Sequence, residues 1–148
     1  MDIAKLTQDG KCIFAIKLAE RASSYLQAMD ASNLINEAIQ VAWDWIHKRE
    51  DVGEILYDFL DNEENGFTLI QEMEQNEKNI NAWNCIIDAL AYISKVAYEN
   101  EGVRYLPEPI ESVDDNIFSH MIQSLILCNN EERKYIEHIY CKCIEESQ

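Results

Sequence analysis

The chain has 148 residues, 47% of them apolar, with four glycines and two prolines, and its 12 basic and 28 acidic side chains give a formal net charge of −16. That balance excludes nucleic acid and an anionic membrane surface as direct ligands. The length suits one domain that buries roughly two-thirds of its unfolded surface without a metal or a disulfide, and the scarcity of glycine and proline suits helices joined by short turns.

No alternating run of β-branched and aromatic residues argues for a strand. The expected fold is therefore all-α, a single compact bundle of about six or seven helices spanning residues 1–148. Residues 1–10 hold no basic stretch leading into an apolar core, and no window approaches roughly eighteen uninterrupted apolar residues. A cytoplasmic protein is the expectation. The five cysteines, Cys12, Cys85, Cys128, Cys141 and Cys143, are odd in number and mostly occupy apolar helical positions. They read as reduced thiols acting as small hydrophobes.

In chain order, a helix is predicted over residues 8–28, capped by Thr7, with Ile13, Phe14, Ile16, Leu18 and Tyr25 as its stripe. Asp30 or Ser32 should cap the next, which runs to Lys48 with Leu34, Ile35, Ala38, Val41, Ala42, Trp45 and Ile46 inward. Trp43 falls off that stripe, which leaves it packed against the extended arm predicted further along the chain or exposed as a binding anchor. A shorter helix over residues 51–61 sets Ile55, Leu56, Phe59 and Leu60 on one side and Glu54, Tyr57, Asp58 and Asp61 on or near the other. The turn NEENG ends it, and Phe67, Ile70 and Met73 mark another short helix that frays over residues 75–79.

Residues 81–99, NAWNCIIDALAYISKVAYE, keep apolar side chains on more of a helix circumference than any other segment. This is the predicted central helix, with Trp83 and Trp45 as core anchors and Ala89, Ala91 and Ala97 allowing close neighbours. A narrow polar line, Asn81, Asn84, Asp88, Tyr92 and Lys95, should face water or hydrogen-bonding partners. Pro107 and Pro109 then predict one extended arm, pinned to the bundle by Leu106 and Ile110. Asp114 or Asp115 should start a helix through Phe118, Met121 and Leu125, and Asn129 or Asn130 the last one, carrying Tyr135, Ile136, Ile139 and Ile144.

Several constellations invite chemistry. DNEENGFTLIQE places Asp61, Asn65, Gly66 and Glu72 at the first, fifth, sixth and twelfth positions of a calcium-binding loop. Glu63 is too long for the third position, Thr68 replaces an aliphatic at the eighth, and no partner loop exists, so a glycine-containing turn accounts for the run better. Cys128, His138, Cys141 and Cys143 suggest zinc, yet residues two apart on a helix project about 160° from one another and do not share an ion. There is no phosphate loop, nucleophile elbow or pair of histidines at metal spacing. His47 suits a helix C-terminus, and His120 is packed or exposed. No enzyme, metal or cofactor is expected.

The run over residues 56–115, above all AWNCIIDALAYISKVAYENEG followed by YLPEPIESVDD, resembles the all-helical immunity proteins of bacterial polymorphic toxin systems, specifically the sixth numbered family of immunity proteins. AWDWIHKRE and LYDFLDNEENG fit the same pattern, and the likeness is weakest in the first thirty residues and the last helix. It implies an antitoxin that blocks a toxin domain by direct contact, encoded directly downstream of a large secreted protein with a variable C-terminal toxin domain. An acidic helical adaptor with no toxin partner would share the composition but not that genetic neighbourhood.

Ten carboxylates and no lysine or arginine lie between Glu50 and Glu77. A basic toxin domain such as a nuclease is the partner such a surface fits. The expected contact residues are Glu54, Tyr57, Asp58 and Asp61 on the short helix, continued by Glu63, Glu64 and Glu72, with Tyr57 supplying desolvated area. The second candidate surface is Asn84, Asp88 and Tyr92, beside the proline-containing arm.

Overall fold

The computed structural model describes residues 1–147, so Gln148 of the expected domain lies outside it. Among the described residues there are eight α-helices and no strand: α1 (Gln8–Ser23), α2 (Ser32–Lys48), α3 (Gly53–Asp61), α4 (Phe67–Glu72), α5 (Glu77–Asn100), α6 (Glu108–Glu111), α7 (Ile117–Cys128) and α8 (Glu132–Ser147). Single 3-10 turns precede and follow α1.

The long helix α5 is the axis of the bundle. Asn76 Oδ1 accepts the amide of Asn79 (3.1 Å) at its start, satisfying one of the donors that a helix N-terminus leaves open. Beyond that turn, Ala82, Trp83, Ile86, Ala89, Leu90, Ile93 and Ala97 are all buried. The alanines hold little volume between backbones, so α7, α1 and α3 come close on different sides, and these are the helices α5 packs against most extensively. Trp83 is fully buried with its ring 5.2 Å from Phe67, and Phe14 of α1 stacks on Phe118 of α7 at 5.9 Å. The last helix fastens to α1: buried Glu132 accepts from Arg21 Nε (2.7 Å) and from the Tyr25 hydroxyl (2.6 Å).

Thr7 caps α1 as expected, accepting the Gly10 amide (3.0 Å), and Asn129 Oδ1 accepts the Glu131 amide (2.9 Å) at the start of α8. Other expectations need correction. Neither Asp30 nor Ser32 caps α2; its cap position is Ala31, with no side-chain hydrogen bond, because turns through residues 29–32 already carry the chain in helical sense. The cap position of α7 is Asn116, and Asp114 acts one step earlier by accepting the Asn116 amide (2.9 Å). The arm is not wholly extended, since α6 forms inside it around Pro109. Proline is tolerated there because the first turn of a helix leaves its N–H groups without internal partners anyway. Ile110, brought inward by that turn, is buried, and Leu106 is half-buried.

Trp43 packs on neither the arm nor solvent. It is half-buried against α1, its Nε1 donating to Glu20 (3.0 Å) and its ring stacked on exposed His47. Of the two settings expected for the polar line of α5, four of its five residues take the second, hydrogen-bonding partners. Asn84 pairs with Gln71 of α4, Asp88 with His120 of α7 (3.0 Å), and buried Tyr92 with Gln8 (2.9 Å) and Asp115 (3.2 Å). Lys95 donates to the carbonyls of Glu111 and Val113. A polar stripe on a central helix is satisfied by neighbouring elements, which removes the cost of burying it.

All five cysteines are free. Burial pushes the Cys12 thiol up to about 12 and those of Cys128 and Cys143 to about 11, which leaves little thiolate at neutral pH. Cys141 is exposed on α8 and His138 is exposed too, so they build no cluster with buried Cys128 and Cys143. Among the described residues no three His, Cys, Asp or Glu side chains stand where one metal ion could be held, and no helix is long and apolar enough to cross a membrane.

Candidate functional site

Within the long contact between α3 and α5, Gly53 lies directly against α5. A Cβ on Gly53 would lie 2.7 Å from the Tyr98 ring, so only glycine lets the α3 start approach this closely. Ser94 Oγ donates to the Gly53 carbonyl (2.7 Å) and the Gly53 amide donates to Glu101 Oε1 (3.0 Å), which locks the contact from both sides. The buried stripe of α3 is consequently Gly53, Leu56 and Leu60. The other end is held by the NEENG turn. Asn62 Oδ1 accepts the amides of Glu64 and Asn65, Thr68 Oγ1 donates to the Leu60 carbonyl (2.8 Å), and Phe67 drops into the core beside Trp83. A Cβ on Gly66 would sit 2.5 Å from the Asn62 carbonyl oxygen, so this turn also requires its glycine.

Fixed at both ends, α3 presents Glu54, Asp58 and Asp61 to solvent, with Tyr57 half-buried at the edge of the face. Glu63 and Glu64 in the turn and Glu72 on α4 are exposed as well. Two residues expected elsewhere join this surface. Ile55 was expected inward but is 49% exposed, because it lies off the stripe that Gly53 sets, and Met73, the expected apolar marker of α4, is 77% exposed just past that helix. Phe59 is half-buried and tilts against Phe67.

None of the ten carboxylates between Glu50 and Glu77 takes part in an ion pair among the described residues. Their field is felt locally. Burial raises the Tyr57 hydroxyl above its ordinary pKa and neighbouring Asp61 raises it further; Tyr98 is raised by burial, then by Glu54 and Glu101.

Beside this face the structure opens a cleft of about 320 Å³ where α3, α5, the α6 arm and α7 meet. Leu60, Ile87, Ala91 and Ile110 give it apolar walls, and Tyr57, Asp61 and Asp88 are its main polar groups. The cleft brings Tyr57 and Asp61 of the first expected surface together with Asp88 of the second. The other two members of that second surface are elsewhere: Asn84 is occupied by Gln71, and Tyr92 is buried along a separate cavity of about 440 Å³ beside Lys95 and Asp115. The apolar walls had no sequence signal as a site, since Ile87, Ala91 and Ile110 read as core.

The family described as immunity protein Imm6 matches residues 10–128, from the first turn of α1 to the end of α7, and so contains the whole of α3, the NEENG turn, α4 and every wall of the cleft. No curated protein and no solved structure matches the chain. By that match over most of its length, the chain belongs to the immunity protein Imm6 family.

Proposed function

We propose that this protein is a non-enzymatic antitoxin acting as one domain in the cytoplasm, which neutralises a cognate polymorphic toxin domain by presenting the α3–NEENG–α4 face to a basic surface such as that of a nuclease. Family membership supports a toxin as the partner. The observation that carries the choice of face is the run of ten carboxylates without an ion pair among the described residues. Such a surface repels itself in the free protein, and a cationic partner relieves that repulsion on binding. Exposed Ile55 and half-buried Tyr57 lie within the acidic arc and offer area to desolvate, while the carboxylates steer encounter and fix orientation.

The test is association kinetics with the toxin domain encoded directly upstream in the same locus. Reversing Asp58, Asp61 and Glu64 to lysine should slow association by about tenfold or more at low salt and remove most of its salt dependence. Cells expressing the toxin should lose protection accordingly. An unchanged on-rate and salt dependence would place the interface elsewhere.

A further inference from the structure

We infer that the cleft beside α3 is a socket for one arginine side chain of the partner protein, a conclusion that rests on the toxin-binding reading and names the group the interface is built to receive. Asp88 forms one wall with its side chain only 20% exposed, and burial holds its carboxyl above the usual range. Its partner there is His120, 3.0 Å away and itself 73% exposed, a group that can swing into water without leaving a buried vacancy. Asp61 supplies a second carboxylate and Tyr57 an aromatic ring along the same cleft, while Leu60, Ile87, Ala91 and Ile110 line it with carbon.

Apolar walls with carboxylates among them suit a guanidinium. It is planar and weakly hydrated, it stacks on an aromatic face, and its methylene stem gains from apolar surroundings. A lysine ammonium, compact and strongly hydrated, would lose more on entering. Arginine is also among the residues that most often anchor protein interfaces from a desolvated pocket. The bound guanidinium takes over Asp88 from His120, so the carboxylate exchanges an exposed imidazole for a buried cation.

The first measurement is a methyl NMR titration of the whole chain with Nα-acetyl-arginine amide and, separately, its neutral citrulline analogue. The arginine compound should shift the methyl signals of Ile87, Ile110 and Ile117 saturably, the citrulline compound should not, and Asp88→Asn and Ala91→Leu should each weaken the response by about tenfold. Equal response to both compounds, or none at these methyls, overturns the socket. The second measurement uses the toxin domain encoded beside this chain: Asp88→Asn and Ala91→Leu should each speed dissociation by about tenfold while leaving the salt dependence of association in place. If both variants dissociate as wild type while the α3 charge reversal slows association, the socket is wrong and the acidic face stands; if the reversal is silent too, the toxin-binding face itself is wrong. Two variants guard against a folding artefact, since Asp88→Asn changes neither volume nor backbone.

Discussion

Carboxylates on the α1 side of the molecule and on the α3 side have opposite surroundings. Around α1, Asp9 meets Arg49, Asp115 meets Lys11 (2.7 Å), Glu132 meets Arg21 and Tyr25, and Glu20 accepts from Trp43. Along α3, the NEENG turn and α4, no carboxylate has an ion-pair partner among the described residues, although Glu74 accepts the amides of Gln75 and Asn76 (3.1 Å each). Acidic groups on the first side tie helices together and serve folding. Those on the second make no such ion pair among the described residues, and substitutions on the two sides should therefore diverge.

The largest effect belongs to the core that both sides share. Trp83→Ala should cost about 3–5 kcal/mol in a urea melt, from lost burial and the cavity left against Phe67. Trp83→Phe should cost clearly less, because the indole N–H has no hydrogen-bond partner among the described residues and its loss removes a buried, unpaired donor.

Next comes the compensated side. Glu132→Ala should cost about 2 kcal/mol, since it strips buried acceptors from Arg21 and the Tyr25 hydroxyl and loosens α8 from α1. A loss below about 0.5 kcal/mol would show that this pair is no stronger than an exposed one and would erase the contrast.

On the uncompensated side, the reversal of Asp58, Asp61 and Glu64 to lysine should move stability by no more than about 0.5 kcal/mol, and upward at low salt, because each change removes repulsion. Substantial destabilisation would mean that these carboxylates hold the fold after all.

Asp88 should give the smallest effect. Burial raises its pKa, and the contact with His120 only partly offsets this. The folded chain therefore keeps the proton to a higher pH than the unfolded chain, so stability from this group is present at low pH and is lost as pH rises through the folded value. Asp88→Asn should raise the melting temperature slightly at pH 7, and the gain should vanish once the pH falls below the ordinary carboxylate value of 3.8. His120 is the charged neighbour that offsets the shift, so a pH series on His120→Ala separates its contribution from that of burial.

Much of the fold was legible from spacing alone. An alanine-rich segment with apolar residues on nearly every side can only be stable surrounded by helices, and α5 is so placed. Short elements were read less well. On the short helix α3, four apolar residues allowed more than one buried stripe, and the approach of Gly53 to Tyr98 decided which was used, turning Ile55 outward. The polar line of α5 was correctly located, but spacing cannot say that Gln71, His120, Gln8 and the Glu111 and Val113 carbonyls cover it.

Local chemistry therefore determined the helical class, the α1 cap, the central helix and an acidic segment with no basic residue in it, because these depend on neighbours within a few positions along the chain. Tertiary structure decided the rest: which side of α3 faces water, where Trp43 packs, and that Asp61 and Asp88, 27 positions apart, share one cleft with Ile110 of the arm. Those outcomes arise where separate helices meet, and the geometry of such meetings depends on the close approach of backbones at a few small residues, which no periodicity within one helix encodes.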